Sequence, residues 1–189
     1  MKRTLLFFAL ALLTTSILVT GCKKDENPAD GGSGGGNGGS GGGNTQTGAG
    51  TMSAKIDGQS WSSTSIPGLP GAYATYIGNI LTITGSQLQG TSATFLNITI
   101  VNVTGTGEFR LGTDSAQGAG TYGTSANEQW TTTETETGTV KITKFDTQNK
   151  IVSGTFSFKC KNPNPSATPQ IRDITDGRFD VKWGVLGDN

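Results

Sequence analysis

The chain has 189 residues, and its 14 basic and 14 acidic side chains give a formal net charge of zero. This balance excludes an argument from net charge for binding nucleic acid or an anionic membrane surface. The sequence contains no histidine, which removes the commonest general base and the commonest metal ligand in proteins.

Residues 1–21 have the parts of an export signal. Lys2 and Arg3 precede an apolar stretch from Leu5 to Leu18, which is shorter than the roughly 20 apolar residues of a spanning helix. The stretch ends in Val19-Thr20-Gly21-Cys22. This tetrad resembles the lipobox of bacterial lipoproteins, and the resemblance implies that Cys22 is acylated and becomes the first residue of the mature protein. An uncleaved anchor and a signal peptide cut elsewhere are the alternatives.

Acylation of Cys22 predicts attachment to a lipid bilayer. Each buried methylene group contributes about 0.8 kcal/mol, and a single fatty chain binds only marginally. The lipoprotein resemblance implies two or three chains, palmitate among them, and an attachment that is effectively permanent.

The residues after the cysteine are Lys23, Lys24, Asp25 and Glu26. They resemble the signal that sends many Bacteroidota lipoproteins to the outer face of the outer membrane. A solvated charged spacer is the alternative. The sequence therefore favours an outer-membrane lipoprotein that faces the cell surface rather than the periplasm.

Residues 22–50 are predicted to be a disordered tether, because glycine, serine and asparagine dominate from Gly31 onwards. Glycine loses the most backbone entropy on ordering, and the segment has no apolar side chains to bury. Its predicted end-to-end distance is roughly 30 Å. A phosphate-binding loop is excluded, because no strand precedes the glycines and no Lys-Ser or Lys-Thr pair follows them.

Residues 51–189 are predicted to form a single β-domain. Short runs of alternating apolar residues are separated by turn signals such as Asp57-Gly58, Asp146–Asn149 and Asp176-Gly177. Strands are predicted at 52–56, 59–63, 80–84, 93–103, 108–111, 121–124, 137–145, 150–161, 171–175 and 178–183. About nine or ten short antiparallel strands indicate a β-sandwich, with a lipocalin-like closed β-barrel as the alternative.

Cys160 has no partner for a disulfide if Cys22 carries lipid. It alternates with Phe156 and Phe158 along one predicted strand, which places it on an apolar face. We expect a buried, unreactive thiol, because no histidine is present to activate it.

The domain resembles an uncharacterised family of secreted Bacteroidota lipoprotein domains. The resemblance is carried by three segments, in this order: Ala54–Trp61, then Gly138–Phe158, and finally Thr175–Val181. It covers most of residues 52–183 and implies a location in the cell envelope with no established activity. No functional residue is implied by it.

The candidate chemical groups are few. Asp173, Asp176 and Asp180 lack the spacing of a compact calcium loop. Glu134 and Glu136 flank Thr135 like a catalytic pair, but such carboxylates are also typical of a protected edge strand. We therefore predict a protein that is not an enzyme and that uses no metal and no cofactor. A structural envelope protein without a specific ligand is the alternative to a binding module, and a hydrolase is the least supported class.

Aromatic side chains offer the better route to binding a glycan or a protein. Trp130 follows Glu128 and Gln129 without apolar alternation, so we expect it to be exposed. Tyr73 and Tyr76 follow the Pro67–Gly71 loop and are further candidates for ligand contact. Ser115 in Asp114-Ser115-Ala116 resembles a Bacteroidota O-glycosylation signal, with an ordinary Asp-Ser turn as the alternative.

Overall fold

The computed structural model describes residues 46–112, 116–125 and 128–184. These residues form strands, turns and loops, which confirms the all-β prediction. No helix in these ranges is long and apolar enough to cross a membrane. The strands are β1 Thr51–Ile56, β2 Gln59–Ser62, β3 Ala72–Ile77, β4 Ile80–Gln89, β5 Ser92–Ile100, β6 Gly107–Leu111, β7 Gly118–Ser125, β8 Glu128–Thr131, β9 Gly138–Asp146, β10 Ile151–Lys161 and β11 Ile171–Lys182.

The strands of the described residues belong to one sheet in the order β2-β1-β11-β10-β9-β6-β7-β5-β4-β3, and β8 pairs with both β7 and β10. The pairs are antiparallel except for β6 and β7, which meet in parallel at Leu111 and Gly118. Most neighbours in the sheet are also neighbours in the chain, which is typical of hairpin-built all-β domains.

The β3 edge of the sheet returns to β1 and β11. The Ala72 amide donates to the Gly50 carbonyl at 2.9 Å, and the Gly184 amide donates to the Ala74 carbonyl at 3.3 Å. Ala74 and Trp183 form a parallel bridge. The sheet closes through these contacts, as in the small closed barrel that the sequence left as the alternative to a sandwich.

A single apolar core lies inside this sheet. Its side chains come from alternate positions of each strand, as the two-residue period of a pleated strand requires. The largest fully buried ones include Met52, Leu81, Ile83, Leu96, Ile98, Ile100, Leu111, Val140, Ile142 and Ile174.

Two of the predicted hairpins are confirmed. Asp57 and Gly58 have φ values of 50° and 82° between β1 and β2, the signature of a two-residue type I′ turn. Between β9 and β10, the Asp146 carboxylate accepts the amides of Gln148 and Asn149 at 3.1 and 3.0 Å. Local side-chain hydrogen bonds of this kind are readable from sequence, because both partners lie within the turn.

The predicted hairpin at Asp176-Gly177 is wrong. Strand β11 continues through these residues, which form a β-bulge opposite Ala54 of β1. Asp176 has a φ of 52°, so the left-handed conformation that Asp-Gly favours serves a bulge here instead of a turn. The bulge directs the Asp176 carboxylate outward, where it pairs with Lys55 at 2.9 Å.

Two strands were missed. In β3 the inward positions are Ala72 and Ala74, whose small side chains give only a weak apolar alternation. In β8 the single buried apolar residue is Trp130. Both strands are specified by neighbours distant in the chain rather than by their own pattern.

Residues 46–50 are bonded to the domain, although the sequence analysis assigned them to the tether. The carboxylate of Asp180 accepts the successive amides of Thr47, Gly48 and Ala49 at 3.1, 2.8 and 3.3 Å. Gly48 has a φ of 74°, which helps to curve these amides around one anion. The structure therefore places the start of the domain before Thr51. The composition of the segment did not reveal this, because its binding partner lies on the last strand.

Candidate functional site: an apolar groove beside the Ile66–Leu69 turn

The connection between β2 and β3 contains a tight turn over Ile66–Leu69. Pro67 presets the φ of the second turn residue, and Gly68 supplies a φ of 83° at the third, the pattern of a type II turn. The Ile66 and Leu69 amides each donate to the other residue's carbonyl, at 3.1 and 2.9 Å. These two bonds fix the backbone positions from which the Ile66 and Leu69 side chains project.

The rest of this connection is bonded to strand β4. The Thr64 amide donates to the Ser86 carbonyl at 2.8 Å, and the Ser86 amide donates to the Gly71 carbonyl at 3.0 Å. The Leu88 amide donates to the Thr64 hydroxyl at 3.2 Å. These bonds hold the loop beside β4.

An apolar groove with a volume of about 170 Å³ lies between this loop and strands β3 and β4. Ile66, Leu69 and Leu88 line it and are each between 42% and 47% exposed. Pro70 and the half-buried Tyr73 complete its apolar walls. The volume is below the roughly 300–1,000 Å³ of pockets that enclose a small-molecule ligand. It suits a single large apolar side chain.

Tyr73 and Tyr76, two of the predicted ligand-contact residues, lie at different places in the structure. Tyr73 lines the groove. Tyr76 lies further along β3, where its hydroxyl donates to the Val103 carbonyl at 2.7 Å and its ring contacts Phe145 and Trp183. The groove therefore includes one of the predicted ligand-contact residues, and sequence reasoning missed its aliphatic ones.

The expectation that Trp130 is exposed is wrong, since only 3% of it is accessible. Its indole Nε1 donates to the Pro169 carbonyl at 2.9 Å. The guanidinium of Arg172 covers the ring at 4.9 Å, and Tyr122 lies beside it. Arg172 is held in turn by Asp57, 2.6 Å away. A cation over an aromatic ring replaces the apolar neighbours that the sequence around Trp130 lacks.

A second, polar groove of about 300 Å³ lies on the outer face of β9, β10 and β11. Hydroxyl groups, two cations and one carboxylate line it, namely Thr139, Thr155, Ser157, Lys141, Arg178 and Asp176. Gly177 also lines it, and the Phe156 ring fills the space that a Cβ on Gly177 would need.

The acidic candidates do not converge. Asp176 pairs with Lys55 at the surface, while Asp180 is buried against the Thr47–Ala49 amides. The carboxylate of Glu136 accepts from the hydroxyls of Thr133 and Thr135, and these hydrogen bonds hold the pKa of Glu136 below its usual range. Within the described ranges, no group of three or more cysteine or acidic side chains is placed to hold a metal ion.

Several predicted site residues lie outside the described ranges. They are Cys22, Lys23, Lys24, Asp25, Glu26 and Ser115.

Cys160 is a free, buried thiol, as its position on the Phe156/Phe158 face predicted. Burial, reinforced by the negative charge of Asp57, raises the pKa of Cys160 from 9.0 to about 12. The thiolate is the reactive form of cysteine. Because the pKa of Cys160 is raised, almost no thiolate is present at pH 8. We expect a thiol-reactive dye to label the native protein far more slowly than the denatured protein at this pH. Equal labelling rates in the two states would contradict the assignment.

The comparisons with known proteins identify a family and nothing more specific. A family model described as a domain of unknown function, DUF6252, matches residues 49–180. No curated protein and no solved structure matches the chain.

Proposed function

The chain belongs to the DUF6252 family of domains of unknown function, and we propose that it is a lipid-anchored binding module of the cell envelope. In this proposal the groove beside Ile66–Leu69 receives an apolar side chain from a protein partner. The observation that carries the proposal is the exposure of Ile66, Leu69 and Leu88 around one concave surface.

The anchor and the address rest on the N-terminal residues. Val19–Cys22 supports a Bacteroidota-type lipoprotein with acylated Cys22, and Lys23–Glu26 supports display on the outer face of the outer membrane. The Gly-rich segment that follows would act as the spacer. Ser115, in the sequence Asp114-Ser115-Ala116, is proposed as an O-glycosylation site.

A protein partner fits the groove better than a small molecule does. Interfaces concentrate their energy in a few anchor side chains that enter well-packed apolar pockets. Ile66 and Leu69 on a hydrogen-bonded turn and Leu88 on β4 line such a pocket. A preorganised backbone reduces the entropic cost of binding.

A glycan ligand is the second candidate, and the polar groove favours it. Thr139, Thr155 and Ser157 offer hydroxyl groups, and Lys141 and Arg178 would favour a saccharide that carries carboxylate or sulfate groups. A structural protein without a ligand is the remaining alternative. We propose no catalysis, because the chain lacks histidine and its domain thiol is buried.

The test of the groove uses residues 22–189 with Cys22→Ser, which cannot be acylated. The variant to compare carries Leu69→Asp as well. Peptides selected from a random display library are expected to present a large apolar residue and to bind with micromolar affinity. Leu69→Asp is expected to weaken that binding at least tenfold, about 1.4 kcal/mol, because it places a charge where the apolar anchor sits. Interferometry with synthetic peptides measures the change.

Ile171→Asp is the matched control. Ile171 is an aliphatic residue that is 43% exposed, close to the 47% of Leu69, and it does not line the groove. Peptides that bind wild type and Leu69→Asp equally would refute the groove as the binding site. Glycan binding that Lys141→Ala abolishes and Leu69→Asp spares would establish the second candidate instead.

A further inference from the structure

The turn between β3 and β4 carries two exposed isoleucines. Ile77 and Ile80 are cross-strand neighbours on either side of Gly78-Asn79, and they are 77% and 46% exposed. The turn itself is specified by the positive φ of Gly78 and Asn79, so it does not require flanking isoleucines. Adjacent exposed apolar side chains at the tip of a hairpin are typical of a contact surface.

A cluster of three aromatic rings lies at this end of β3, where Tyr76 directly precedes Ile77 in the chain. Tyr76 contacts Phe145 and Trp183 with ring centroids 5.2 and 5.6 Å apart, and Phe145 stacks on Trp183 at 4.8 Å. All three are only partly buried. Tryptophan and tyrosine beside aliphatic side chains are the composition found where proteins meet the headgroup region of a membrane.

The same end of the domain carries an excess of positive charge. The Trp183 amide donates to the Lys150 carbonyl at 2.8 Å, and Lys182 pairs with Ile151 at the start of β10. Lys144 lies on the neighbouring strand β9, where its Nζ forms an ion pair with the Asp146 carboxylate at 3.8 Å. Lys150 and Lys182 are exposed. The chain has no net charge, so this excess is a local feature that the overall balance conceals.

The N-terminal segment also enters the domain at this end. The Gln46 carbonyl accepts from Lys144 Nζ at 2.7 Å. Gly48 packs against the Lys182 side chain, which leaves no room for a Cβ. Gln46 and Gly48, at the start of the described residues, therefore lie at this end of the domain.

We propose that Ile77, Ile80, Trp183, Lys150 and Lys182 form a tip surface that docks on an anionic lipid bilayer. Its biological setting rests on the proposed anchor at Cys22, which would hold the tip near the membrane at an effective concentration on the order of millimolar. At that concentration a weak contact between the tip surface and the lipid suffices. The contact would turn the opposite end of the β3–β4 hairpin, where the groove lies, away from the lipid. The isoleucines enter the headgroup boundary, and the lysines pair with anionic lipid groups.

The test uses residues 22–189 with Cys22→Ser, so that no acyl chain contributes. Sedimentation with phosphatidylglycerol–phosphatidylcholine vesicles at low salt is expected to show binding that high salt weakens. Ile80→Asp is expected to lower the partition coefficient at least tenfold. Ile171→Asp, the same substitution at a similarly exposed isoleucine far from the tip surface, is expected to leave it unchanged.

Trp183 supplies an independent signal. Trp61 and Trp130 are buried in the core, so quenching of fluorescence by brominated lipids would report Trp183 and should disappear in Trp183→Phe. Absence of vesicle binding, equal binding to pure phosphatidylcholine, or equal losses in Ile80→Asp and Ile171→Asp would overturn the proposal. None of these results bears on the acyl anchor, because the protein tested carries none.

Discussion

Asp180→Ala is expected to lower the melting temperature of the protein by about 10 °C, corresponding to a loss of about 3 kcal/mol. The Asp180 carboxylate is buried and accepts from Gly48 N and Ser153 Oγ, each at 2.8 Å, as well as from the neighbouring amides of Thr47 and Ala49. Alanine would leave the buried Ser153 hydroxyl and the part-buried amides of Thr47, Gly48 and Ala49 without this acceptor. Because hydrogen bonds to a charged acceptor contribute more than neutral ones, removing all of them at once is costly.

Asp180→Asn separates the charge from the shape of this side chain. Asparagine retains one acceptor oxygen but turns an NH₂ group towards the amides, so we expect about half of the loss. Asp176→Asn is the matched control on the same strand, because the Asp176–Lys55 pair is exposed and solvent-screened and contributes little to stability. Thermal denaturation measures the stability, and hydrogen exchange of the Thr47–Ala49 amides measures release of the segment. Unchanged exchange in Asp180→Ala would show that these amides do not depend on the carboxylate.

The features of the fold that sequence predicted are local ones. The turns at Asp57-Gly58 and Asp146–Asn149 need only their own side chains and backbone preferences, and both were predicted correctly. Asp176-Gly177 shows the limit of this reasoning, because the same left-handed preference fits a turn or a bulge. Here β10 pairs with β11 on both sides of these residues and continues the strand, and the Phe156 ring lies where a Cβ on Gly177 would be. That information lies twenty residues away in the chain.

The candidate site was less accessible to sequence analysis than the fold. The sequence indicates the Pro67–Gly71 loop and Tyr73 as a candidate segment. The groove also needs Leu88 of β4, whose amide donates to the Thr64 hydroxyl of the loop. For Trp130, the sequence predicted exposure and the structure shows a buried ring. Its local sequence is polar, yet Arg172 and Tyr122 cover it from two other strands. Exposure of an aromatic ring depends on such distant partners, so a one-strand pattern predicts it poorly.

Cys22→Ser is expected to move the protein from the membrane fraction to the soluble fraction almost completely. With about 0.8 kcal/mol for each buried methylene, two or three acyl chains hold far more strongly than any surface contact of the domain. The proposed tip surface would leave only a weak attachment, which a high-salt wash removes. The measurement is fractionation of host cells with and without that wash. Protein that stays with the membrane after the wash would exclude Cys22 as its main anchor.

Replacing Lys23–Glu26 with alanine gives the matched variant, because it spares Cys22 and should leave the protein in the membrane fraction. We expect protease added to intact cells to digest the wild-type domain and to spare this variant, since its export signal is lost. If intact cells protect the wild-type domain as well, while lysed cells do not, the domain faces the periplasm. The proposed acyl anchor would then stand without the proposed surface address, because the two proposals rest on different residues, Cys22 for the anchor and Lys23–Glu26 for the address.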